Sequence, residues 1–204
     1  TVLTDLAFDA DGEGPITDDG DTLLPAEAPF AVPDRLGNRV GLVVSSYDFE
    51  GDLPVGRAAV VDLATGEQFV APDVPGLTGV RFSWLGQYLL LEHWDLETGA
   101  IGLSRLDLNA VVPTVEPIEV PGAFDVFLAG LIPGTDSLYA TAVDTYGDTR
   151  VVRIDAATGE VETLVDTIAG GLSDLTVNAD GTLAAATLVA PETGRGGVVI
   201  ADLA

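Results

Sequence analysis

The 204-residue chain has 33 acidic side chains against eight arginines, with neither lysine nor cysteine, and its formal net charge is −25. Such a surface would repel phosphates, which argues against a nucleic-acid partner and against docking on anionic lipid. Without cysteine, neither disulfides nor thiolate metal sites can form. Apolar residues make up 47% of the chain, which is enough for a buried core rather than a disordered acidic tail.

The acidic composition has two interpretations that stay open. Hydrated carboxylates keep a halophilic protein soluble in high salt, whereas a GC-rich bacterial genome encoding a secreted protein would also deplete lysine. In either case we expect an extracytoplasmic or secreted location. The chain has no uninterrupted apolar window of about 18 residues, so we expect no membrane insertion. It also lacks a basic segment followed by an apolar one, so we expect no signal peptide within these residues.

A repeat organises the chain. Short apolar strands end in aspartate at intervals of 45, 48 and 47 residues, and they close at Asp62, Asp107, Asp155 and Asp202. A unit of that length, built from short strands and turns, is typical of one four-stranded blade of a β-propeller. We therefore predict an all-β propeller with four four-stranded antiparallel blades, the last of them incomplete.

In chain order, the predicted blades cover about residues 3–76, 77–122, 123–171 and 172–204. The first strand of a blade ends at a turn rich in Asp, Asn and Gly, because these residues tolerate positive φ. An apolar second strand follows, then the third strand that ends in aspartate. The fourth strand is acidic and contains proline in two blades, which suits an exposed edge.

The first blade is longer than the others. A segment rich in Pro, Gly and Asp, residues 13–38, separates its predicted first strand at 3–13 from its second at 39–48. We predict a long loop over this segment. Loops of such length are uncommon unless they are functional, so features specific to this protein are expected there.

The fourth predicted blade contains only three strands, and this leaves two interpretations open. The chain could be part of a larger ring, with further blades from the same or another chain. Alternatively it could form a small four-bladed ring with one three-stranded blade. We prefer the larger ring, because six to eight blades are more usual for repeats of this kind.

The sequences VVDLATGE, VVRIDAATGE and LSDLTVNADGTLAAAT, at residues 60–67, 151–160 and 172–187, resemble the TolB-like and YncE-like propellers of bacteria and archaea. The resemblance covers nearly the whole chain outside residues 13–38. It implies a ring with a central channel and a binding face built from the loops between strands. It implies no catalytic residues, because such repeats serve as scaffolds, receptors and accessory domains of enzymes.

An acidic loop near the start of the chain is a candidate calcium site. Asp9, Asp11 and Glu13 occupy alternate positions before Gly14, as oxygen ligands do in the first half of a calcium-binding loop. Where the bidentate glutamate of such a loop should stand, the chain has Gly20. Calcium binding and a simple solvated acidic loop therefore both stay open, and no other cofactor is predicted.

His93 is the only histidine, and it lies near the end of a predicted second strand. Alternation along the strand places His93 and Asp95 on one face, where they could contribute to a binding face or orient an imidazole for acid–base chemistry. A zinc site would need further His or Cys ligands. We favour a hydrogen-bonded structural histidine. No Gly-x-Ser-x-Gly sequence indicates a nucleophile.

Four of the arginines lie among the predicted strands, and we expect them to pair with neighbouring carboxylates such as Asp107 or Asp155: Arg81, Arg105, Arg150 and Arg153. Such pairs would reduce the local repulsion between acidic side chains. The pattern indicates a role in stability rather than in chemistry.

A regular repeat without a catalytic motif favours a non-catalytic propeller domain that recognises a protein, peptide or glycan through a loop-rich face. The alternative is an accessory propeller of a larger secreted enzyme, a hydrolase, in which the propeller gates access of substrate. The sequence leaves open whether the protein is an enzyme, and it favours the answer that it is not.

Overall fold

The computed structural model describes residues 30–47, 54–95, 97–168, 171–178, 180–189 and 196–203. Within these ranges the chain forms sixteen β-strands and no helix. In chain order the strands are β1 (Phe30–Pro33), β2 (Arg39–Tyr47), β3 (Pro54–Asp62), β4 (Gln68–Val70), β5 (Val74–Pro75), β6 (Leu77–Phe82), β7 (Tyr88–Trp94), β8 (Ile101–Asp107), β9 (Val115–Ile118), β10 (Asp125–Leu131), β11 (Ser137–Val143), β12 (Thr149–Asp155), β13 (Val161–Ile168), β14 (Gly171–Val177), β15 (Leu183–Val189) and β16 (Gly196–Asp202).

The strands form four antiparallel sheets, and each sheet is a meander of consecutive strands. The first sheet contains β1–β5, the second β6–β9, the third β10–β13 and the fourth β14–β16. In the first sheet both β4 and β5 pair with β3, so together they occupy the fourth-strand position. The prediction of an all-β chain with four antiparallel sheets, the last incomplete, is confirmed.

The first sheet begins inside the segment that the sequence predicts as a loop. β1 pairs with β2 from Phe30 opposite Val43 to Pro33 opposite Val40. The prediction of an uninterrupted loop over residues 13–38 is therefore wrong for residues 30–33. Proline disfavours a strand in general, but it is tolerated at the edge of a sheet because no neighbour needs its missing N–H. The predicted first strand at 3–13 lies outside the described residues.

Side chains hold the turns between first and second strands. Asp34 Oδ1 accepts hydrogen bonds from the backbone N–H groups of Asn38 and Arg39, at 2.8 and 3.2 Å. Asn178 Oδ1 likewise accepts two hydrogen bonds, from the backbone N–H groups four and five residues later, both at 2.8 Å. Such bonds satisfy backbone donors that the ladder leaves unpaired, which explains why Asp and Asn begin these turns.

The repeated aspartates have a structural role of the same kind. Asp62 Oδ1 accepts hydrogen bonds from the backbone N–H groups two and three residues later, both at 2.9 Å. Asp155 Oδ1 does the same at 2.8 and 2.9 Å. These bonds close the turn from the third strand into the fourth. The pattern that reveals the repeat is therefore a turn motif.

Consecutive sheets pack against each other through apolar faces. One buried cluster joins the first and second sheets and includes Val60, Phe82 and Leu89. A second cluster joins the second and third sheets and includes Leu90 and Leu138. Leu89 and Leu90 are neighbours on β7 and point to opposite faces, so the second sheet is covered on both sides.

Polar side chains also link each sheet to a turn of the next one. Arg39 Nη2 donates to the carbonyl of Gly86 at 2.6 Å, and Arg105 Nη1 donates to the carbonyl of Ala156 at 2.8 Å. Tyr139 OH donates to the carbonyl of Gly181 at 2.8 Å. Each bond satisfies a carbonyl that the tight turn itself leaves unpaired.

Among the described residues, two of the four arginines form ion pairs with neighbouring carboxylates, as expected, but the partners are not Asp107 or Asp155. Arg105 pairs with Glu116 at 2.6 Å and Arg153 with Glu162 at 2.8 Å. Each glutamate lies directly opposite its arginine on the fourth strand. A cross-strand neighbour is closer than a residue two positions along the same strand, so the prediction of pairs with Asp107 or Asp155 is wrong.

Replacement of Tyr139 by phenylalanine tests the polar links between sheets. Tyr139→Phe removes the hydroxyl and leaves the Gly181 carbonyl without its donor, so the free energy of unfolding should fall by about 1 kcal/mol. Urea denaturation measures this change. Tyr146→Phe, at an exposed tyrosine, is the matched control and should leave stability unchanged. Equal effects of the two substitutions would contradict a structural role for the Tyr139 hydroxyl.

Candidate functional site

The two ends of the sheets differ in their connections. Neighbouring strands are antiparallel, so the turns between first and second strands and between third and fourth strands lie at one end. The connections between second and third strands, and those from one sheet to the next, lie at the other end, which we name the loop face. His93 and Asp95, at the end of β7, lie at the loop face.

A cavity of about 500 Å³ lies at the loop face between the first and second sheets. It brings the two predicted residues together with residues from both sheets, and its lining is formed by Asp73, Val74, Pro75, His93, Trp94, Asp95, Glu97, Ser104 and Val115. Three of these side chains are carboxylates, and several others are apolar or aromatic. The cavity is therefore acidic, with an apolar wall.

His93 is a partly buried, hydrogen-bonded side chain. Its Nε2 atom lies 2.9 Å from Ser104 Oγ on the neighbouring strand β8. Burial lowers the pKa of His93, and the nearby Asp95 carboxylate opposes this shift only in part. The imidazole is therefore neutral at neutral pH.

Asp95 is used mainly by its own turn. Its Oδ1 atom accepts hydrogen bonds from the backbone N–H groups of Glu97, at 2.9 Å, and Thr98, at 3.1 Å. The N–H of Thr98, followed by that of Glu97, lowers the pKa of the exposed Asp95 carboxyl. His93 hydrogen-bonds to Ser104 rather than to Asp95, so Asp95 does not orient the imidazole.

Ser104 and His93 have the residue types of a nucleophile and its base, but the serine hydroxyl is poorly accessible to a substrate. Ser104 is only 4% exposed in the middle of a strand. A serine nucleophile has to present its hydroxyl to the substrate at about 3 Å. Although Ser104 contributes to the cavity lining, its low exposure favours a structural hydrogen bond that holds the imidazole against the sheet.

Trp94, Asp73 and Glu97 are among the residues of the cavity that sequence reasoning missed. Trp94 is 52% exposed although it is a large apolar side chain, and its backbone N–H donates to the carbonyl of Gly76 at 2.8 Å. Asp73 forms an exposed ion pair with Arg57 at 2.7 Å. Trp94 directly follows His93, so its place in the sequence could have indicated it. Asp73 comes from another sheet, and the sequence carries no signal for it.

Clustered metal ligands and membrane-spanning helices are both absent from the described ranges. No group of three or more His, Asp or Glu side chains in them could hold a metal ion. The candidate calcium ligands Asp9, Asp11 and Glu13 lie outside these ranges. In the described part of the chain, no helix is long and apolar enough to cross a membrane.

Solved structures share the arrangement of the sheets. TolB from Acinetobacter baumannii matches with a TM-score of 0.56 at 21% identity, over 87% of this chain and 41% of that one. The fold is that of a TolB-like β-propeller. An oligogalacturonate lyase in complex with manganese matches this propeller with a TM-score of 0.68 at 16% identity, over 88% of this chain and 52% of that one.

A third match is the β-propeller domain of the Trilobed protease from Pyrococcus furiosus. Its TM-score is 0.58 at 12% identity, over 87% of this chain and 55% of that one. The chain thus spans about half of the length of these structures, or less. No protein-family model and no curated protein matches its sequence. At these identities the comparisons establish the fold.

Replacement of Gly76 tests how tightly the backbone supports the cavity. Gly76 has a φ of 69°, and a Cβ there would overlap the backbone carbonyl of Trp94. Gly76→Ala should therefore destabilise the fold by more than the roughly 1–2 kcal/mol expected from positive φ alone. Gly99→Ala is the matched control, because its φ is 74° with no atom within 4 Å of the added Cβ. Equal losses in urea denaturation would contradict the close approach at Gly76.

The lowered pKa of His93 predicts a dependence of stability on pH. The unfolded chain binds a proton at this imidazole near the ordinary histidine pKa of about 6.5, whereas the folded chain does not. The contribution of His93 to stability should therefore be complete above this pH and decrease as the pH falls below it.

Urea denaturation of the wild type and of His93→Gln at several pH values measures this contribution. The difference in free energy of unfolding should be largest near pH 8 and shrink between about pH 6.5 and 5. Because His93 is the only histidine, no other imidazole affects the comparison. A difference that does not vary with pH would contradict the lowered pKa.

Proposed function

We propose that this TolB-like propeller is a non-catalytic binding domain that recognises a protein, peptide or glycan through its loop face. The observation that carries the proposal is the cavity between the first and second sheets, where the exposed Trp94 lies near the carboxylates of Asp95 and Glu97. Exposed aromatic side chains within a concave site are typical of ligand recognition.

The lining of the cavity supports a ligand that is rich in hydroxyl groups or positively charged. An indole face can stack against a sugar ring or attract a cation. Carboxylates accept hydrogen bonds from hydroxyl or ammonium groups. The charge of Asp73 is already balanced by Arg57, which leaves Glu97 and part of Asp95 to contact the ligand.

The geometry around His93 supports a role without catalysis. The Ser104 hydroxyl is buried and bonded to His93, and Asp95 is bonded to its own turn. Neither group is arranged as a general base or nucleophile with access to a substrate. Their hydrogen bonds instead keep the wall of the cavity in a fixed shape, which favours binding by lowering the cost of ordering.

A second candidate function is an accessory propeller of a larger secreted hydrolase that gates access of substrate. The similarity to the propeller domain of the Trilobed protease favours this candidate. The gene that encodes the chain distinguishes the two. A hydrolase motif in the same reading frame supports the accessory role, and its absence supports the binding domain.

We also propose an extracytoplasmic location, on the basis of the acidic composition and the net charge of −25. Further blades from the same or another chain are proposed as partners, along with the ligand of the loop face. Calcium binding at Asp9, Asp11 and Glu13 stays a prediction.

The binding function is tested by screening the protein against glycan and peptide arrays and measuring the affinity of the ligands that it retains. Trp94→Ala should weaken binding at least about tenfold, because buried aromatic anchors dominate interface energies. Leu63→Ala, an exposed apolar residue in a turn at the opposite end of the first sheet, is the control and should bind as the wild type does. Unchanged binding by Trp94→Ala would place the ligand elsewhere. Turnover that disappears in His93→Gln would contradict a non-catalytic role.

A further inference from the structure

The cavity at the loop face carries an excess of negative charge. Asp73, Asp95 and Glu97 belong to its lining, and no arginine does. Arg57, which stands outside the lining, pairs with Asp73 at 2.7 Å. Backbone N–H groups bond to Asp95 in its own turn, but these neutral donors leave the charge of the carboxylate in place. Among the described residues that line the cavity, the charges of Asp95 and Glu97 therefore have no opposite charge.

His93 does not supply the missing positive charge. It is the only histidine in the chain, and burial lowers its pKa although the Asp95 carboxylate opposes this shift. Near neutral pH the imidazole is therefore uncharged and adds nothing to balance the carboxylates. A counter-charge at this wall has to come from ions of the solvent or from a ligand.

A smaller cavity of about 140 Å³ shows the opposite arrangement. It lies between the second and third sheets at the end opposite the loop face, and its lining includes Arg105, Asp107 and Glu116. Arg105 Nη2 lies 2.6 Å from the Glu116 carboxylate. An arginine of the lining itself thus offsets the acidic charge there. The cavity at the loop face is larger and has no such residue in its lining.

The side chains of the lining also offer more hydrogen-bond acceptors than donors. Each of its carboxylates presents two acceptor oxygens and no donor. The donors are the Trp94 indole N–H and the one hydrogen that remains to His93 and Ser104 after these two bond to each other. A sugar hydroxyl needs donors as well as acceptors around it, whereas an ammonium or guanidinium group only donates. The lining therefore matches a cation better than a neutral sugar.

The apolar wall of the cavity is suited to the stem of a basic side chain. It contains Val74, Pro75 and Val115 beside the exposed Trp94. Lysine and arginine lay their methylene stems along apolar surface while the charged group stays among polar partners. An indole face attracts cations, and a guanidinium can also stack on it. The volume of about 500 Å³ has room for such a side chain and part of the peptide that carries it.

We propose that the cavity binds a basic side chain of a peptide, an arginine or a lysine, with its charged group at Asp95 and Glu97 and its stem along Trp94. This inference rests on the proposed binding function of the loop face and names the class of its ligand. The net charge of −25 adds a long-range attraction for a basic ligand, which speeds association. Binding of a neutral glycan instead is an outcome that the test separates.

Indole fluorescence tests the ligand class directly. The chain has two tryptophans, and Trp84 lies at the other end of the second sheet, 4.3 Å from the Arg35 guanidinium. Trp84→Phe therefore leaves Trp94 as the only reporter. The probes are acetylated and amidated Gly-Gly-Arg-Gly-Gly, the same peptide with lysine or with the neutral isostere citrulline in place of arginine, and cellotetraose.

The arginine peptide should give a saturable fluorescence change, and the lysine peptide should bind more weakly because it lacks a planar group to stack on the indole. The Kd for the citrulline peptide should be at least about tenfold higher than for the arginine peptide, because its hydrogen bonds are not charge-assisted. Cellotetraose should leave the fluorescence unchanged.

A pair of charge-removing substitutions places the cation within the cavity. Asp95→Asn with Glu97→Gln should raise the Kd for the arginine peptide at least about tenfold, and that for the citrulline peptide less than about twofold. Asparagine can accept the same turn N–H groups as Asp95, so the fold should be kept. Glu67→Gln with Glu160→Gln is the matched control, because it removes two exposed charges at the opposite end of the sheets. In about 0.15 M salt these distant charges are screened, and the control should bind as the wild type does.

Several results would overturn the basic ligand. Equal affinities for the arginine and citrulline peptides would do so without any variant at the cavity, and so would equal effects of the two pairs of substitutions. Cellotetraose that binds in preference to the arginine peptide would replace the cation by a glycan and still support the binding function. No fluorescence change with any probe would also contradict this ligand class, whereas the array screen with Trp94→Ala decides the binding function separately.

Discussion

The structure depends on the burial of one sheet face against the next. A single meander of three or four short strands cannot bury both of its apolar faces by itself, so apolar surface stays in contact with water until a neighbouring sheet covers it. β7 shows the solution, because Leu89 packs toward the first sheet and Leu90 toward the third. As in other repeat proteins, stability therefore comes from nearest-neighbour interfaces. The hydrogen bonds from Arg39 and Tyr139 to turn carbonyls of the following sheet specify how each interface is aligned.

The high negative charge is compatible with this packing because several carboxylates are placed where they bond to the backbone or to arginine. Asp62 and Asp155 accept N–H groups in tight turns. Glu116 faces Arg105 across the outer edge of its sheet. Exposed ion pairs of this kind contribute little energy individually, but they remove repulsion that would otherwise oppose association of the outer strands. Much of the acidity within the strands thus has a structural role.

The cavity at the loop face is a product of the same packing. Its lining comes from β5 of the first sheet and from β7–β9 of the second, so it exists only when the two sheets are associated. The hydrogen bonds of His93 and Asp95 keep the wall of the cavity in place, whereas Trp94 and Glu97 are free to meet a ligand. Rigid sheets that carry a variable face are the usual way in which propellers acquire different functions on one fold.

The sequence by itself determined the repeat, the all-β class and most of the strands, because short-range patterns control turns and alternation. Asp and Asn at turn starts and apolar residues along β7 and β11 are local signals of this kind. It also singled out His93 and Asp95. Only the tertiary structure decided that β1 lies within the predicted loop, that Glu116 and not Asp107 is the partner of Arg105, and that Asp73 joins His93 at one cavity. These contacts link residues on different strands or sheets, and their proximity depends on strand register and sheet packing, which no local pattern encodes.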